Sequence, residues 1–420
     1  MFQFDEGRAN SCESDATDGN SAVANCRVSR LAIAPDERIG YQRRAMNDAM
    51  HKALLPTGLT DALPEQAEAE LMAVRSLMNA FRAHGYRAVK PPLLEFEENL
   101  LTGPGAGLSS QVFRLMDPIS QRMMGLRADI TPQIARLAAT RLASAPRPLR
   151  LCYSGQVLRV RGDQLRPERQ FTQAGIELLG SDATAAEAEV LLLVVRALRE
   201  TGLTDLTVDL TLPALAPMIL QGRGFDAATI ALAREALDGK DAGELKTHVG
   251  DDAAAFALLD AVGIADEAVV KLEALGVSGQ AGQLIARLTE LVALVRAKDP
   301  DLALTIDPGE YRGFEYQSGI AFTVFAAGVR GELARGGRYT TEAGETAVGA
   351  TVYLDAVGRG LPEQDRPEMV YVPFGVDAEE MDLGGRAMVN GLDPETDEDA
   401  EAHRLGCSHI VRNGKAEPLG

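Results

Sequence analysis

The sequence predicts an α+β chain in which helices flank an antiparallel sheet and a run of helices interrupts that sheet midway. Three observations carry this. Leu149 to Gly180 reads as two strands around a charged turn; Glu65 to His84 and Asp182 to Arg199 have helical apolar periodicity. Pro213 to Lys298 is dominated by Ala and Leu with acidic and basic residues, and strand patterning returns at Leu302 to Phe325.

The first 50 residues or so are polar and without sustained period, so they are expected not to pack. Met46 or Met50 would serve equally well as initiator, which makes an over-extended start the expectation for this leader. In Glu65 to His84, Leu71, Val74, Leu77, Met78 and Phe81 recur at three- and four-residue steps, and Gly85 can end the helix in the left-handed conformation. Tyr86 to Val89 then runs into Pro91 and Pro92, which cannot donate to a ladder; an edge or interface strand follows. Further on, an extended MMGLRADIT leads into PQIARLAATRL, with Thr131 and Pro132 as N-cap and first-turn residue. Arg127, Asp129 and Thr131 share a face if that stretch is extended; otherwise Thr131 is only a cap and Asp129 a charge suited to a helix N-terminus.

The Leu149 to Gly180 stretch carries the chemistry. Gly162, Asp163 and Pro167 mark its turn, and on the return strand Phe171, Gln173, Gly175 and Glu177 share one face. An amide and a carboxylate thus flank a residue without a side chain, where a ligand or another backbone can approach. A half-solvated strand explains the same alternation equally well. Beyond Leu206 to Leu212, a plausible strand, the helical stretch contains nothing that suggests chemistry. In ARGGRYTT, Ala334 to Thr341, the glycine pair is expected in a hairpin turn, the less common alternative being a backbone cradle for an anion. From Leu361 to Gly420 there are 14 Asp and Glu against 5 Lys and Arg. The expected organisation is 51–212 and 302–360 as core, 213–301 as helical insertion, and 361–420 as a short acidic region.

Composition excludes several function classes. A formal charge of −19 over 420 residues repels polyanions, and the absence of Trp removes the best stacking platform for single-stranded nucleic acid. No apolar run approaches the roughly 20 residues of a membrane helix. The four cysteines have neither CxxC nor zinc spacing, which suits a reducing cytoplasm; His403, Cys407 and His409 are better read as solvated side chains than as ligands. No metal or cofactor is expected. Neither a P-loop nor a GxGxxG turn occurs.

The ordered set RADIT, GQVLRVR, FTQAGIELLG, YRGFEYQSG and GGRY, between about Leu54 and Val357, resembles the catalytic core of the histidyl-tRNA synthetases, class II aminoacyl-tRNA synthetases. Lys90 to Leu101 and Phe113 to Arg136 look particularly like the synthetase-like regulatory subunits of ATP phosphoribosyltransferase, which lack ligase activity. The resemblance implies a class II core, and a histidine site in which Asp129, Thr131 and Gln173 hold the α-amino group, Glu177 faces the imidazole, and Arg159 and Arg312 meet the carboxylate. Tyr316 would supply an aromatic contact, although Gln317 stands where the family has a second tyrosine. Such a zwitterion site needs acceptors at one end and a cation at the other.

The same resemblance argues against ligation. Arg161 stands where the synthetases place an acid that reads adenine, and a cation cannot accept the amino proton. Asp355 and Ala356 stand where an acid and a phosphate-neutralising arginine belong, a loss of several kcal/mol of barrier stabilisation. The implied protein is therefore non-catalytic. It forms a homodimer inside a hetero-oligomer with a short catalytic ATP phosphoribosyltransferase subunit, supports the first step of histidine biosynthesis, and couples it to histidine as effector. The alternatives are a histidine-tRNA ligase and a stand-alone histidine sensor.

Overall fold

The computed structural model describes residues 54–162, 166–311, 317–362, 368–379 and 381–420. The proposed leader, Asp163, Arg312 and Tyr316 lie outside these residues. The fold centres on a nine-stranded sheet. From edge to edge its strands are Arg87–Ala88, Leu149–Leu158, Gln170–Leu179, Thr346–Tyr353, Ala334–Thr340, Gln317–Ala326, Leu206–Thr211, Ala303–Asp307 and Gly263–Ile264. Arg87–Ala88 pairs in parallel with Leu151–Cys152, and Leu206–Thr211 pairs in parallel with Ala303–Asp307; the other neighbours are antiparallel.

The expected hairpin is present, with Leu149 opposite Leu179 and Leu158 opposite Gln170. Its return strand is central, and Phe171 to Leu179 is buried without a break, so the half-solvated alternative fails. Tyr86 to Val89 is an edge as expected, reduced to a two-residue strand before the prolines. The glycine pair is a correction. Gly336 and Gly337 lie inside the Ala334–Thr340 strand rather than in a turn or an anion loop. A Cβ on Gly336 would stand 2.6 Å from Gly349 O, and one on Gly337 2.7 Å from Ala321 Cα. Close packing of three strands, and not a chain reversal, is what these glycines serve.

Two long helices cover the sheet. In Pro64–Ala83 the buried residues are Ala73, Leu77, Ala80 and Phe81, the stripe expected from spacing; Thr184–Glu200 packs beside it and is mostly buried. A buried ion network ties this layer together: Glu187 pairs with Arg338 of the sheet at 2.8 Å and with Arg287 at 2.7 Å, the latter from the helix Gly279–Lys298. The helical stretch comprises Leu215–Gly222, Ala227–Asp238, Ala242–Val249, Ala253–Asp260, Ala265–Ala274 and Gly279–Lys298. Three of these start where an aspartate can cap: Asp226, Asp241 and Asp252 each accept backbone N–H groups of the first turn.

Near the site, Leu94–Phe96, Phe113–Met116 and Met123–Leu126 form a three-stranded antiparallel sheet. At the C-terminal end the acidic residues belong to a folded element: a four-stranded sheet of Ala387–Asn390, Met369–Val372, His409–Arg412 and Lys415–Pro418 with the helix Glu398–Arg404. It is held by small cores around Val370, Val372 and Val411 and around Tyr371, Ala402 and Ile410. Its strands are four residues long, too short for periodicity to reveal them. Among the described residues no helix is long and apolar enough to cross a membrane.

Candidate functional site

The site begins where the strand Met123–Leu126 gives way to the helix Thr131–Ala139. The expectation for Thr131 is corrected here. Ile130 occupies the N-cap position, Thr131 is the first helical residue, and capping falls to Asp129, whose Oδ1 accepts the Thr131 N–H at 2.8 Å. A carboxylate two residues back reaches the free amide better than a hydroxyl on the same residue can, which leaves the Thr131 hydroxyl for other work.

Asp129 Oδ2 accepts from Gln173 Nε2 at 2.9 Å, and Gln173 Oε1 accepts the Ile130 N–H at 3.2 Å. This reciprocal pair locks the helix start to the return strand of the hairpin. Four residues along, Glu177 is 1% exposed, and its Oε2 accepts from the Tyr339 hydroxyl at 2.8 Å. Its carboxyl group lies over Gly349 of the neighbouring strand, in the volume a Cβ there would take. Burial pushes the Glu177 carboxyl up to about 8, hydrogen bonds from the Tyr339 and Thr131 hydroxyls pull the other way, and the Asp129 charge adds to the rise. Among the described residues no cation is one of the groups that act on it.

The gap over Gly175 is filled, and this corrects its reading as open space. Tyr153 stands opposite it in the hairpin register, and a Cβ on Gly175 would lie 2.5 Å from Tyr153 Cζ. The fully buried Tyr153 hydroxyl is 2.8 Å from Thr351 Oγ1 and 3.4 Å from Thr131 Oγ1. Burial and the nearby Glu177 and Asp129 charges hold this phenol well above its usual range, so it stays protonated. Tyr153, Tyr339 and Thr351 were not singled out from sequence. The available clue was register: pairing the two hairpin strands about their turn sets Tyr153 against Gly175.

Asp129, Thr131, Gln173 and Glu177 therefore converge. Arg159 follows the first hairpin strand; its Nε donates to Ala128 O at 3.3 Å and its guanidinium lies 5.1 Å from the Phe171 ring. Beside it the molecule is closed by its own side chains. Arg166, 5% exposed, stacks 3.6 Å from the Tyr353 ring centroid and 5.1 Å from that of Phe171. It also pairs with Asp355 at 3.3 Å and with Glu332 at 3.4 Å. Ala356 is fully buried, and Arg161 is exposed.

Chemically the two parts differ. In the Asp129 to Glu177 cluster the buried Arg127 guanidinium faces Asp129, whereas Glu177 is held by hydroxyls with no cation among the described residues acting on it, an arrangement that favours a cationic or proton-sharing guest at Glu177. The Arg166 cluster has its charges matched from within. A cavity of about 680 Å³ lies elsewhere, lined by Glu98, Thr102, Arg136, Arg141 and Glu342 among others. Among the described residues no group of His, Cys, Asp and Glu is arranged to hold a metal, and Cys407 is buried rather than solvated.

Comparison with known proteins bears on the family and the fold. The histidyl-tRNA synthetase family pattern matches residues 58–357. An ATP phosphoribosyltransferase regulatory subunit of Paramagnetospirillum magneticum is 50% identical over 368 residues, 87% of this chain and 97% of that protein. Among solved structures, an ATP phosphoribosyltransferase regulatory subunit/histidyl-tRNA synthetase from Bacillus halodurans superposes with a TM-score of 0.73 at 23% identity, covering 85% of this chain and 97% of that one. A chain of the ATP phosphoribosyl transferase complex from Thermotoga maritima superposes with a TM-score of 0.54 at 18% identity, covering 68% and 97%. With a class II synthetase-like core and the extent of its likeness to the first of these proteins, the chain belongs to the family of ATP phosphoribosyltransferase regulatory subunits.

Proposed function

We propose that this chain is a non-catalytic subunit that assembles in the cytoplasm, as a homodimer within a hetero-oligomer, with a short catalytic ATP phosphoribosyltransferase. Transfer of ribose phosphate to ATP takes place on the partner. The chain supports that first step of histidine biosynthesis and carries histidine feedback to it. The name borne by the relative at 50% identity supports the regulatory role, and the Thermotoga maritima protein is itself a complex.

The observation that carries the reading is the contrast inside the core: a set of acceptors at the half-buried Asp129 and the buried Gln173 and Glu177, with no described cation acting on Glu177, lies beside a region that Arg166 fills. Histidine suits the first part. Its ammonium group meets Asp129, Thr131 and Gln173, its imidazole shares a proton with Glu177, and its carboxylate takes Arg159, with Arg312 and Tyr316 as further contacts. Feedback requires histidine to bind the two activity states of the complex with different affinity.

Calorimetric titration of L-histidine into the full-length chain and its Glu177→Ala variant tests the site. Binding by the parent and a loss of tenfold or more in the variant is the expected result; equal affinities would reject Glu177 as a contact. Co-purification with a short catalytic subunit tests the assembly, and failure to retain it would reject the regulatory role.

A further inference from the structure

We infer that Tyr153 is a positioning residue of this site, fixing the Thr131 hydroxyl against the ammonium group of the bound amino acid. The inference rests on the histidine reading above and names a residue that reading does not include. Tyr153 is fully buried, and the fold makes room for it at a specific point. Across the hairpin the opposite residue is Gly175, where a Cβ would lie 2.5 Å from both Tyr153 Cζ and Ala350 O. A side chain at 175 would expel the phenol, so the glycine and the tyrosine act as a pair.

The hydroxyl sits between two others, 2.8 Å from Thr351 Oγ1 and 3.4 Å from Thr131 Oγ1. Thr131 has its backbone N–H held by Asp129, which fixes the main chain, while its hydroxyl rotor is set between Glu177, to which it donates, and the Tyr153 oxygen. Tyr153 acts on that rotor. A threonine hydroxyl already oriented toward its neighbours presents a lone pair to an incoming ammonium group without first being ordered, and preorganisation of this kind raises affinity. Tyr153 also lies near Glu177, but its hydrogen bonds run to Thr131 and Thr351, so its oxygen acts at the ammonium end of the ligand.

That selectivity separates positioning from mere support. L-Histidine, L-histidinol, which lacks the carboxylate, and imidazole-4-propionate, which lacks the amino group, are titrated into the full-length parent and Tyr153→Phe. The variant keeps the ring over Gly175 and loses only the oxygen. We expect it to bind histidine and histidinol about tenfold more weakly, the scale of one lost hydrogen bond, with imidazole-4-propionate unchanged. In a Thr131→Val background, which removes the hydroxyl Tyr153 acts through, Tyr153→Phe should cost nothing further. Equal weakening of all three ligands, no weakening at all, or additive losses in the double variant would overturn the inference while leaving the histidine site standing. A parent that binds none of the three would remove the site and this inference together.

Discussion

Two ends of one strand, Gln170–Leu179, have been treated differently by the rest of the chain. At its start, Phe171 takes part in a cluster whose cation comes from within: Arg166 lies against two aromatic rings and is paired with Asp355 and Glu332. Further along, Gln173 and Glu177 belong to a cluster of acceptors in which hydroxyls and amides supply every described hydrogen bond to a carboxylate. Burial is nearly complete at both ends. What differs is whether the buried charge is already matched. A matched cluster is architecture; an unmatched one is costly unless it stays protonated or meets a guest.

The largest predicted effect breaks the comparison at its unmatched end. Folded Glu177 holds its proton up to about pH 8, whereas an unfolded glutamate ionises near its ordinary value. The stability from this group is therefore fully present at low pH and is lost as pH rises through the folded value. Glu177→Gln should unfold later than the parent at pH 9, by an amount on the order of 4 kcal/mol in free energy, with the gap closing toward pH 4.5. Thermal melts across that range measure it, and a pH-independent gap would contradict the burial argument.

At the matched end, Arg166→Ala strands Asp355 and Glu332, although Arg359 and Arg335 still reach them. A loss of about 3 kcal/mol is expected, read from urea unfolding at neutral pH. A loss below about 1 kcal/mol would mean that the cluster is not the closed element described.

Histidine affinity gives a smaller, sharper contrast. Between about pH 6.5, where free imidazole titrates, and about 8, where Glu177 does, the free partners already carry the single proton the bound pair shares. Binding needs no proton exchange in that window. It should weaken by up to tenfold per unit outside it, by proton release below and proton uptake above. Glu177→Gln should remove the alkaline limb and keep the acid one. Smallest of all, Arg161→Ala should change stability by less than about 0.5 kcal/mol, since the side chain is exposed.

Much of this could be seen in the sequence, and for identifiable reasons. The hairpin, the two long helices and the edge strand before Pro91 show because their periodicities are long or their breakers strong. Asp129, Gln173 and Glu177 come together as their spacing and family resemblance suggest. Tyr339 escaped because its role depends on strands paired from distant parts of the chain, Glu177 facing Gly349; for Tyr153 the hairpin register was a clue to Gly175, but its reach to Thr351 is a contact that no local pattern encodes. Gly336 and Gly337 misled for a related reason, since glycines that let strands approach closely look the same in sequence as glycines that turn a chain.

The account stands most directly on the turnover of a short catalytic ATP phosphoribosyltransferase reconstituted with this chain, measured with and without L-histidine at pH 7.5. It predicts that the parent chain raises turnover and that histidine suppresses the gain. With Glu177→Ala the gain should remain while suppression shifts to at least tenfold higher histidine. Turnover unaffected by the parent chain, or suppression unaltered by Glu177→Ala, would contradict it.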